Sequence, residues 1–267
     1  MTLAQELMAA YSSGREIEVP PSARDAGFDL AAAYAVEAEL AQLRQAGGHA
    51  TVGRKVGFAN KALWRALKLD TLVWAHMYDD TVRYAENGMA AIPVEHMHSP
   101  KIEPEIVFRL KKPIGTEDRD PAAILAAVDW LALGFEIVDC VFPDWKFTPP
   151  DFVAAFGLHT ALIVGEPRLV QPEMIPKLVE HLPTFRVRLL KDQQLVGEGS
   201  GRNSLRSPAL CLGELASAIS RQPNAEPLAA GELVSSGTLT DSHPIAPGET
   251  WTAIVGDLGL PALTLRL

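Results

Sequence analysis

Cysteine is scarce in this chain. Only Cys140 and Cys211 occur among 267 residues, which is too few for a disulfide framework. Both stand among apolar residues, where a buried free thiol is the ordinary state. This scarcity predicts a protein of a reducing compartment.

Long apolar runs and basic clusters are also missing. No window approaches the roughly 18 uninterrupted apolar residues that a membrane-spanning helix requires. The first six residues lack the basic start and the apolar block of a secretory signal. The formal net charge is -9, the pI is near 5.3, and no Lys/Arg cluster supplies the basic surface that phosphate binding needs. We therefore expect a soluble cytoplasmic protein that binds neither membrane nor nucleic acid.

The composition that is present belongs to a globular protein. Hydrophobic residues make up 48% of the chain and charged residues 21%, so a sizeable core can form. No internal repeat, low-complexity segment or convincing linker interrupts the sequence. We expect a single domain over residues 1–267, with a helical N-terminal part over residues 1–50.

Apolar spacing and capping residues predict the secondary structure. Asp29 is a plausible N-cap for the longer N-terminal helix, and Gly47-Gly48 ends it. Strand patterns prevail after Ala50, and the apolar run Val153–Gly165 is typical of a buried strand. Later helices are predicted at Ala62–Leu69, at Asp120–Ala132 and near Pro208–Ile219.

Two strand-like segments between residues 101 and 140 contain acidic residues among apolar ones: Glu103 and Glu105 in the first, and Glu136 in the second. Glu103 and Glu105 point the same way on a strand, because side chains alternate faces. Glu136 has bulky apolar neighbours, and a carboxylate buried there is costly unless it is paired or holds a cation. Three carboxylates without nearby Cys or His favour a hard, oxygen-binding ion, which we interpret as Mg²⁺ or Mn²⁺. The alternative is a solvated strand face with an edge or bulge at Pro104.

Further polar residues stand in unusual places. Lys55 lies in the strand-like segment Thr51–Phe58, where it either extends its amine to water or carries protons near a metal. The pair Asp79-Asp80 lies at a strand or turn end, where acids usually cap backbone amides. His159 is a polar member of an apolar run, and a lone histidine there is usually a hydrogen-bonded core residue.

Taken together, these residues resemble a known family. The ordered matches are Ala33-Tyr34-Ala35-Val36, Gly53-Arg54-Lys55-Val56-Gly57, Tyr78-Asp79-Asp80, Lys101-Ile102-Glu103-Pro104-Glu105, Phe135-Glu136-Ile137-Val138-Asp139, Ser235-Ser236-Gly237-Thr238-Leu239-Thr240 and Pro247-Gly248-Glu249. The chain resembles the 2-keto-4-pentenoate hydratase and 4-oxalocrotonate decarboxylase branch of the fumarylacetoacetate hydrolase superfamily.

The resemblance implies a fold and a metal centre. The fold is α+β, a mixed β-roll over residues 51–267 with a helical N-terminal layer. A divalent metal, magnesium or manganese, is implied at the carboxylates that match Glu103, Glu105 and Glu136. Proton transfer and water positioning are implied at Lys55 and at the acidic pair Asp79 and Asp80.

One segment departs from the family pattern. The family often carries Asp-Asn-Ala-Ser-Ser where this chain has residues 155–159, Ala-Phe-Gly-Leu-His. A serine position that helps to hold substrate is therefore His159 here. A histidine near the metal is able to act as a general base, which a serine alone is not.

These observations predict a metal-dependent lyase. The leading hypothesis is hydration of a 2-hydroxydienoate or 2-oxo-enoate, such as 2-hydroxypenta-2,4-dienoate of aromatic meta-cleavage pathways, with Lys55, Asp79 and His159 as catalytic residues. The alternatives are decarboxylation of a 4-oxalocrotonate-like diacid, which Arg54 or Arg202 would favour by facing its distal end, and C–C hydrolysis of an acylpyruvate. A degenerate partner or scaffold subunit is the non-enzymatic alternative. We expect a homo-oligomer or pairing with a sister decarboxylase or hydratase subunit.

Overall fold

Helices dominate the N-terminal part and recur between the later strands. The structure, a computed structural model, describes residues 1–223 and 225–267. In these residues the α-helices are α1 (Leu3–Ser13), α2 (Pro21–Arg24), α3 (Leu30–Ala46), α4 (Trp64–Leu67), α5 (Pro121–Leu125), α6 (Pro149–Ala154), α7 (Ile175–His181) and α8 (Pro208–Ser220). Short 3-10 helices lie at Lys61–Leu63, Pro143–Trp145, Phe156–Leu158, Pro172–Met174 and Gly201–Asn203.

The strands form two mixed sheets. They are β1 (Thr51–Gly57), β2 (Val73–Tyr78), β3 (Val82–Tyr84), β4 (Met89–Ala91), β5 (Lys101–Leu110), β6 (Val128–Val138), β7 (His159–Val164), β8 (Arg168–Leu169), β9 (Arg186–Lys191), β10 (Gln194–Ser200), β11 (Leu233–Ser235), β12 (His243–Pro244), β13 (Thr250–Val255) and β14 (Leu263–Arg266). The first sheet runs β2-β1-β11-β5-β6-β7-β3, with β12 beside β5 and β8 beside β6. The second runs β10-β9-β13-β14-β4. The predicted α+β class is confirmed.

The neighbouring strands β5 and β6 form the centre of the first sheet. Their antiparallel register places Glu103 opposite Glu136. Ile102 and Ile106 on β5 are fully buried and pack into the main hydrophobic core. Because side chains alternate along a strand, Glu103 and Glu105 point to the opposite face of the sheet. Core packing on one face thus orients the carboxylates toward the other.

The helix predicted over Asp120–Ala132 is wrong beyond its first turn and a half. Asp120 does cap the helix, since its side chain accepts a hydrogen bond from Ala122 N, but α5 ends at Leu125. Strand β6 begins at Val128 and pairs on both sides within the first sheet. Apolar runs of this length fit either a buried helix or a buried strand, and the partner strands decide between them.

The predicted N-terminal helical part is present. Asp29 caps α3 by accepting a hydrogen bond from Ala32 N, and the helix ends at Ala46 with Gly47 as its C-cap, as the glycine pair predicts. Helix α3 packs against α1 and α6, so the helical part lies against the segment that leads into β7. Among the described helices, none combines the length and the apolar character needed to cross a membrane.

Candidate metal centre and cleft

Glu103, Glu105 and Glu136 come together on one face of the first sheet. Each offers a carboxylate oxygen, and these three oxygens lie within 4.8 Å of one another. Glu105 and Glu136 are fully buried, whereas Glu103 is half-buried. Strand alternation places Glu103 and Glu105 on one face of β5, and the β5–β6 register brings Glu136 beside them. The structure thus gathers the three glutamates into one cluster.

The carboxylate of Glu105 is held by one oxygen only. Its Oε2 accepts hydrogen bonds from Ser235 Oγ at 2.5 Å and from Gly237 N at 2.8 Å. Its Oε1 is buried and has no hydrogen-bond partner among the described residues. A buried carboxylate oxygen without a partner is costly, so this atom is suited to a cation.

Glu136 lies between two nitrogen groups. Its Oε1 is 2.8 Å from His159 Nδ1, and its Oε2 is 3.1 Å from Lys55 Nζ. The second contact has the distance of an ion pair without the alignment of a hydrogen bond, and Oε2 has no hydrogen-bond partner in the described chain. A metal ion bound to Oε2 would therefore share this oxygen with the Lys55 ammonium.

The electrostatics of the cluster differ from one carboxyl to the next. Burial raises the pKa of Glu103 to about 7, although Lys55 opposes the shift. Burial, Glu136 and Glu103 raise the pKa of Glu105 well above its ordinary value. Burial also acts on Glu136, but Lys55 and His159 outweigh it, so the pKa of Glu136 is lowered. Without a cation, burial and, after it, mutual repulsion thus favour protonation at Glu103 and Glu105.

Lys55 on β1 is buried and does not reach water. The residue is 2% exposed, and its Nζ donates a hydrogen bond to Gly157 O at 2.9 Å while facing Glu136. Its Nζ also lies 4.9 Å from the centre of the Phe152 ring. A lysine enclosed in this way is a charged partner for the glutamates.

The segment before β7 is a tight turn, whereas the sequence predicts continuous strand from Val153. Helix α6 ends at Ala154, and Phe156, Gly157 and Leu158 all have φ between 55° and 59°. Such left-handed backbone is unfavourable for Phe and Leu, and strain of this kind often occurs at functional sites. The turn brings the carbonyl of Gly157 to Lys55 Nζ, a contact that strand geometry does not predict.

His159 is the first residue of β7 and is 5% exposed. Its Nδ1 faces Glu136, and its Nε2 lies 2.9 Å from Thr81 Oγ1. It therefore has the hydrogen bonds of a core histidine, yet it also lines a cleft. Both interpretations of His159 remain compatible with this position.

The structure does not bring Asp79 to the cleft. Its side chain is 47% exposed and faces His49, with Asp79 Oδ1 3.4 Å from the ring Nδ1. The hydrogen bond from Asp79 N to Ala50 O fixes this turn, and Asp80, not Asp79, lines the cleft. The interpretation of Asp79 as a water-activating residue therefore has no support in its position.

The cleft itself has a volume of about 180 Å³ and opens beside the glutamate cluster. His159 belongs to its wall and contacts Glu136, whereas the three glutamates are not among the described lining residues. The wall consists of Met8, Tyr11, Ser12, Arg44, Tyr78, Asp80, Thr81, His96, Met97, Asp139, Phe156, His159 and Thr160. The cleft is thus connected to the glutamate cluster through the imidazole ring.

Sequence reasoning missed Arg44, Thr81 and Thr160, and it named Tyr78 only as part of the family match, without a role in the site. Tyr78 is 3% exposed, and its hydroxyl has no hydrogen-bond partner among the described residues; Thr160 Oγ1 has none either. Burial raises the pKa of Tyr78, with Glu37 next in effect, so the phenol stays protonated. The Thr81 hydroxyl forms hydrogen bonds with the backbone N and O of Tyr78, three residues earlier, in a local turn. A threonine at this spacing after a strand is the one sequence signal for the turn.

The residues present fit a divalent cation. The donor set consists of oxygens from three carboxylates, and hard cations prefer such ligands. In two of the three, one buried oxygen has no hydrogen-bond partner among the described residues. One lysine cannot neutralise three carboxylates, so the cluster without a cation carries surplus negative charge when ionised.

Comparison with models of known protein families gives no match. Among curated proteins, the 2-hydroxypent-2,4-dienoate hydratase of Pseudomonas putida is 30% identical over 208 residues, which cover 77% of this chain and 89% of that protein. Among solved structures, the 4-oxalocrotonate decarboxylase of Pseudomonas putida G7, complexed with magnesium and adipate, has a TM-score of 0.88 and 25% identity. That alignment covers 99% of this chain and 95% of the other.

A more distant structure shares the fold alone. The fumarylpyruvate hydrolase of Pseudomonas aeruginosa, in complex with Mn²⁺ and pyruvate, has a TM-score of 0.59 at 17% identity, covering 80% of this chain and 88% of that one. Mixed sheets, N-terminal helices and a carboxylate cluster thus define a protein of the fumarylacetoacetate hydrolase-like fold. Within that fold, the chain belongs to the family of 2-keto-4-pentenoate hydratases and 4-oxalocrotonate decarboxylases. The predicted family and lyase class are confirmed.

Proposed function

We propose that this protein is a divalent-metal-dependent hydratase of a small 2-hydroxydienoate or 2-oxo-enoate, such as 2-hydroxypenta-2,4-dienoate. The observation that carries the proposal is the cluster of Glu103, Glu105 and Glu136 with Lys55 beside it. The relative of 30% identity is named a hydratase of that dienoate, which supports the same substrate class.

Glu103, Glu105 and Glu136 would hold the cation, and their oxygens suit Mg²⁺ or Mn²⁺. When bound, the cation supplies positive charge that stabilises the negative charge of an enolised 2-oxo acid. Lys55 and His159 keep Glu136 ionised by contact with both of its oxygens. The chain thus prepares one carboxylate for a cation before any ligand arrives.

Hydration of the dienoate requires two proton movements. The 2-hydroxyl proton is lost while C5 gains a proton, which moves the double bond to C3–C4; water then adds its oxygen to C4 and a proton to C3. We assign the first transfer to Lys55, whose Nζ is buried beside the carboxylates. We assign activation of water to His159, which lies in the cleft wall with Nε2 turned toward Thr81.

The positions of two arginines favour the hydratase over the diacid decarboxylase. Arg54 is buried and forms an ion pair with Glu232 at 3.1 Å, and Arg202 is exposed. Neither is among the described residues that line the cleft. The two arginines proposed from the sequence as partners of a diacid's distal carboxylate therefore do not face the cleft.

A panel of 2-hydroxydienoates and 2-oxo acids with added Mg²⁺ or Mn²⁺ tests the proposal. We expect ultraviolet loss of the dienol without CO₂ release, and loss of activity after chelation that either metal restores. Release of CO₂ from an oxalocrotonate-type diacid would instead assign the decarboxylase reaction of the relative with the TM-score of 0.88. Full activity after complete removal of metal would overturn the metal-dependent mechanism. The homo-oligomer and the cytoplasmic location remain predictions.

A further inference from the structure

The cleft wall contains an ion pair that the proposed reaction does not use. Arg44, in the last turn of α3, contacts the Oδ1 of Asp80 through its Nη2. The guanidinium carbon lies 4.8 Å from the centre of the Tyr78 ring. The Arg44 side chain is 20% exposed and that of Asp80 is 41% exposed. The guanidinium is therefore occupied by a carboxylate and an aromatic face within the cleft wall.

The fixed charges of the cleft wall disfavour an anion. Among the described lining residues, Arg44 is the one Lys or Arg, while Asp80 and Asp139 are the carboxylates. The Asp139 carboxylate accepts hydrogen bonds from Ser99 N and from His98 N, and also contacts His98 Nδ1. His96 also lines the cleft, but it is exposed, where water and salt screen a charge. The remaining wall combines Met and aromatic side chains with the hydroxyls of serine and threonine and the imidazole of His159, and none of these carries a fixed positive charge.

The Arg44–Asp80 pair lies close to His159 and the glutamate cluster, where the proposed reaction takes place. Asp80 is followed by Thr81, whose hydroxyl contacts the His159 ring, and that ring contacts Glu136. A small acid with its carboxylate end at the glutamate cluster would extend its tail along this wall, because His159 both lines the cleft and contacts Glu136. A second carboxylate on that tail would meet Asp80 and a guanidinium that is already neutralised.

We propose that Asp80 makes this enzyme selective for monocarboxylic substrates by occupying Arg44. The inference rests on the proposed function, because it takes a 2-oxo acid at the glutamate cluster as its reference. Removal of the Asp80 charge frees Arg44, whose guanidinium is suited to bidentate binding of a carboxylate. Asp80 is then a specificity-determining residue, and the Asp80→Asn variant gains affinity for diacids.

The chain offers a matched control one residue away. Asp79 carries the same charge and lies near the same histidine, with His49 Nδ1 3.4 Å from Asp79 Oδ1 and 3.5 Å from Asp80 Oδ2. Asp79 is not among the described lining residues of the cleft. Asp79→Asn therefore removes a unit of negative charge from the same surface without freeing Arg44.

The experiment compares 2-oxohexanoate with 2-oxoadipate, which differ by the second carboxylate and have no conjugated double bond to hydrate. Their dissociation constants are measured by calorimetry with Mg²⁺ for the full-length wild type, Asp80→Asn, Asp79→Asn and the Arg44→Met/Asp80→Asn double variant. We expect the wild type to prefer the monoacid. Asp80→Asn should shift the ratio of constants toward the diacid by about tenfold, as expected for unit charges a few ångströms apart near a surface.

The other variants separate the causes. Asp79→Asn should leave the ratio within about twofold of the wild type, and Arg44→Met in the double variant should abolish the shift. An equal shift in Asp79→Asn and Asp80→Asn, or a wild type that already prefers the diacid, would overturn the inference while both acids still bind. If neither acid binds to the wild type with Mg²⁺, the proposed function fails and the inference fails with it. Because calorimetry does not require turnover, these two results are distinguishable.

Discussion

The Nδ1 of His159 lies 2.8 Å from Oε1 of Glu136, so the first residue of β7 fixes a carboxylate of β6. A carboxylate only accepts hydrogen bonds, and Nδ1 must therefore carry a hydrogen. On the other side of the ring, Nε2 lies 2.9 Å from Thr81 Oγ1. His159 thus connects the glutamate cluster with the cleft, where it either holds Glu136 in place or also exchanges a proton with water.

Replacement of His159 by Asn separates these two roles. Because we assign water activation to His159, we expect turnover per folded molecule to fall by about 10² to 10⁴. A purely structural histidine would instead cost about 1 to 3 kcal/mol of stability through an unmatched hydrogen bond, with turnover near normal. Thermal unfolding and turnover of the same preparation measure both quantities.

Thr81→Val is the matched control for His159→Asn, since it removes the partner of Nε2 and keeps the imidazole. We expect a smaller loss of turnover than for His159→Asn. A His159→Asn variant that melts several degrees lower and still turns over normally would identify His159 as a core residue.

The three glutamates should contribute unequally to metal binding. We expect Glu136→Gln to lower the affinity for Mg²⁺ or Mn²⁺ more than Glu105→Gln or Glu103→Gln. Glu136 is fully buried and its pKa is lowered by Lys55 and His159 against the effect of burial, so it is the carboxylate held ionised for a cation. Titration calorimetry with each metal ranks the variants, and circular dichroism checks that all three fold. Equal and negligible effects would mean that the carboxylates do not bind metal.

Much of this cluster is predictable from the sequence. Strand alternation alone places Glu103 and Glu105 on one face, and apolar neighbours mark Glu136 as buried. The cap at Asp29 and the helix end at Gly47 also follow from local chemistry. These features depend on residues a few positions apart, which a single sequence displays.

Contacts between distant segments are not predictable in this way. Which member of the pair Asp79-Asp80 faces the cleft depends on Arg44, 36 residues before Asp80. The strand that begins at Val128 takes its conformation from β5 and β7, although its sequence also fits a helix. The turn at Gly157 depends on Lys55, 102 residues earlier. Each of these results follows from tertiary packing and not from local pattern.

The metal-free protein should become less stable as the pH rises toward neutral. The folded chain holds protons on Glu103, with a pKa of about 7 against 4.5, and on Glu105 more tightly than the unfolded chain does. Stability therefore falls as pH rises from 4.5 through about 7, since the folded state binds more protons there. Carboxyls with a lowered pKa, such as Glu6 and Glu249, change the stability only below pH 4.5. They therefore do not affect its pH dependence between 4.5 and about 7.

Melting curves with a chelator between about pH 5 and pH 8 measure this dependence. Added Mg²⁺ should raise the melting temperature more at about pH 8 than at about pH 5.5, because the cation binds the ionised carboxylates. Glu105→Gln should flatten the decline in the metal-free protein. A melting temperature that rises steadily across this range would contradict the assigned direction.

Gly157 has a φ of +59°, and its carbonyl accepts a hydrogen bond from Lys55 Nζ. A Cβ at this position would lie 2.8 Å from Lys55 Cδ and 2.9 Å from Ala75 Cβ, so Gly157→Ala should displace the lysine from Glu136. Gly248 has a φ of +85° and open space around its Cβ position, which makes Gly248→Ala the matched control. Both variants should lose about 1 kcal/mol of stability from left-handed backbone, and Gly157→Ala should lose more because its Cβ overlaps Ala75. Only Gly157→Ala should also lose about 10² in turnover per folded molecule, because small displacements of a reacting group are costly. Equal turnover in the two variants, measured alongside their denaturant midpoints, would show that the position of Lys55 does not limit the reaction.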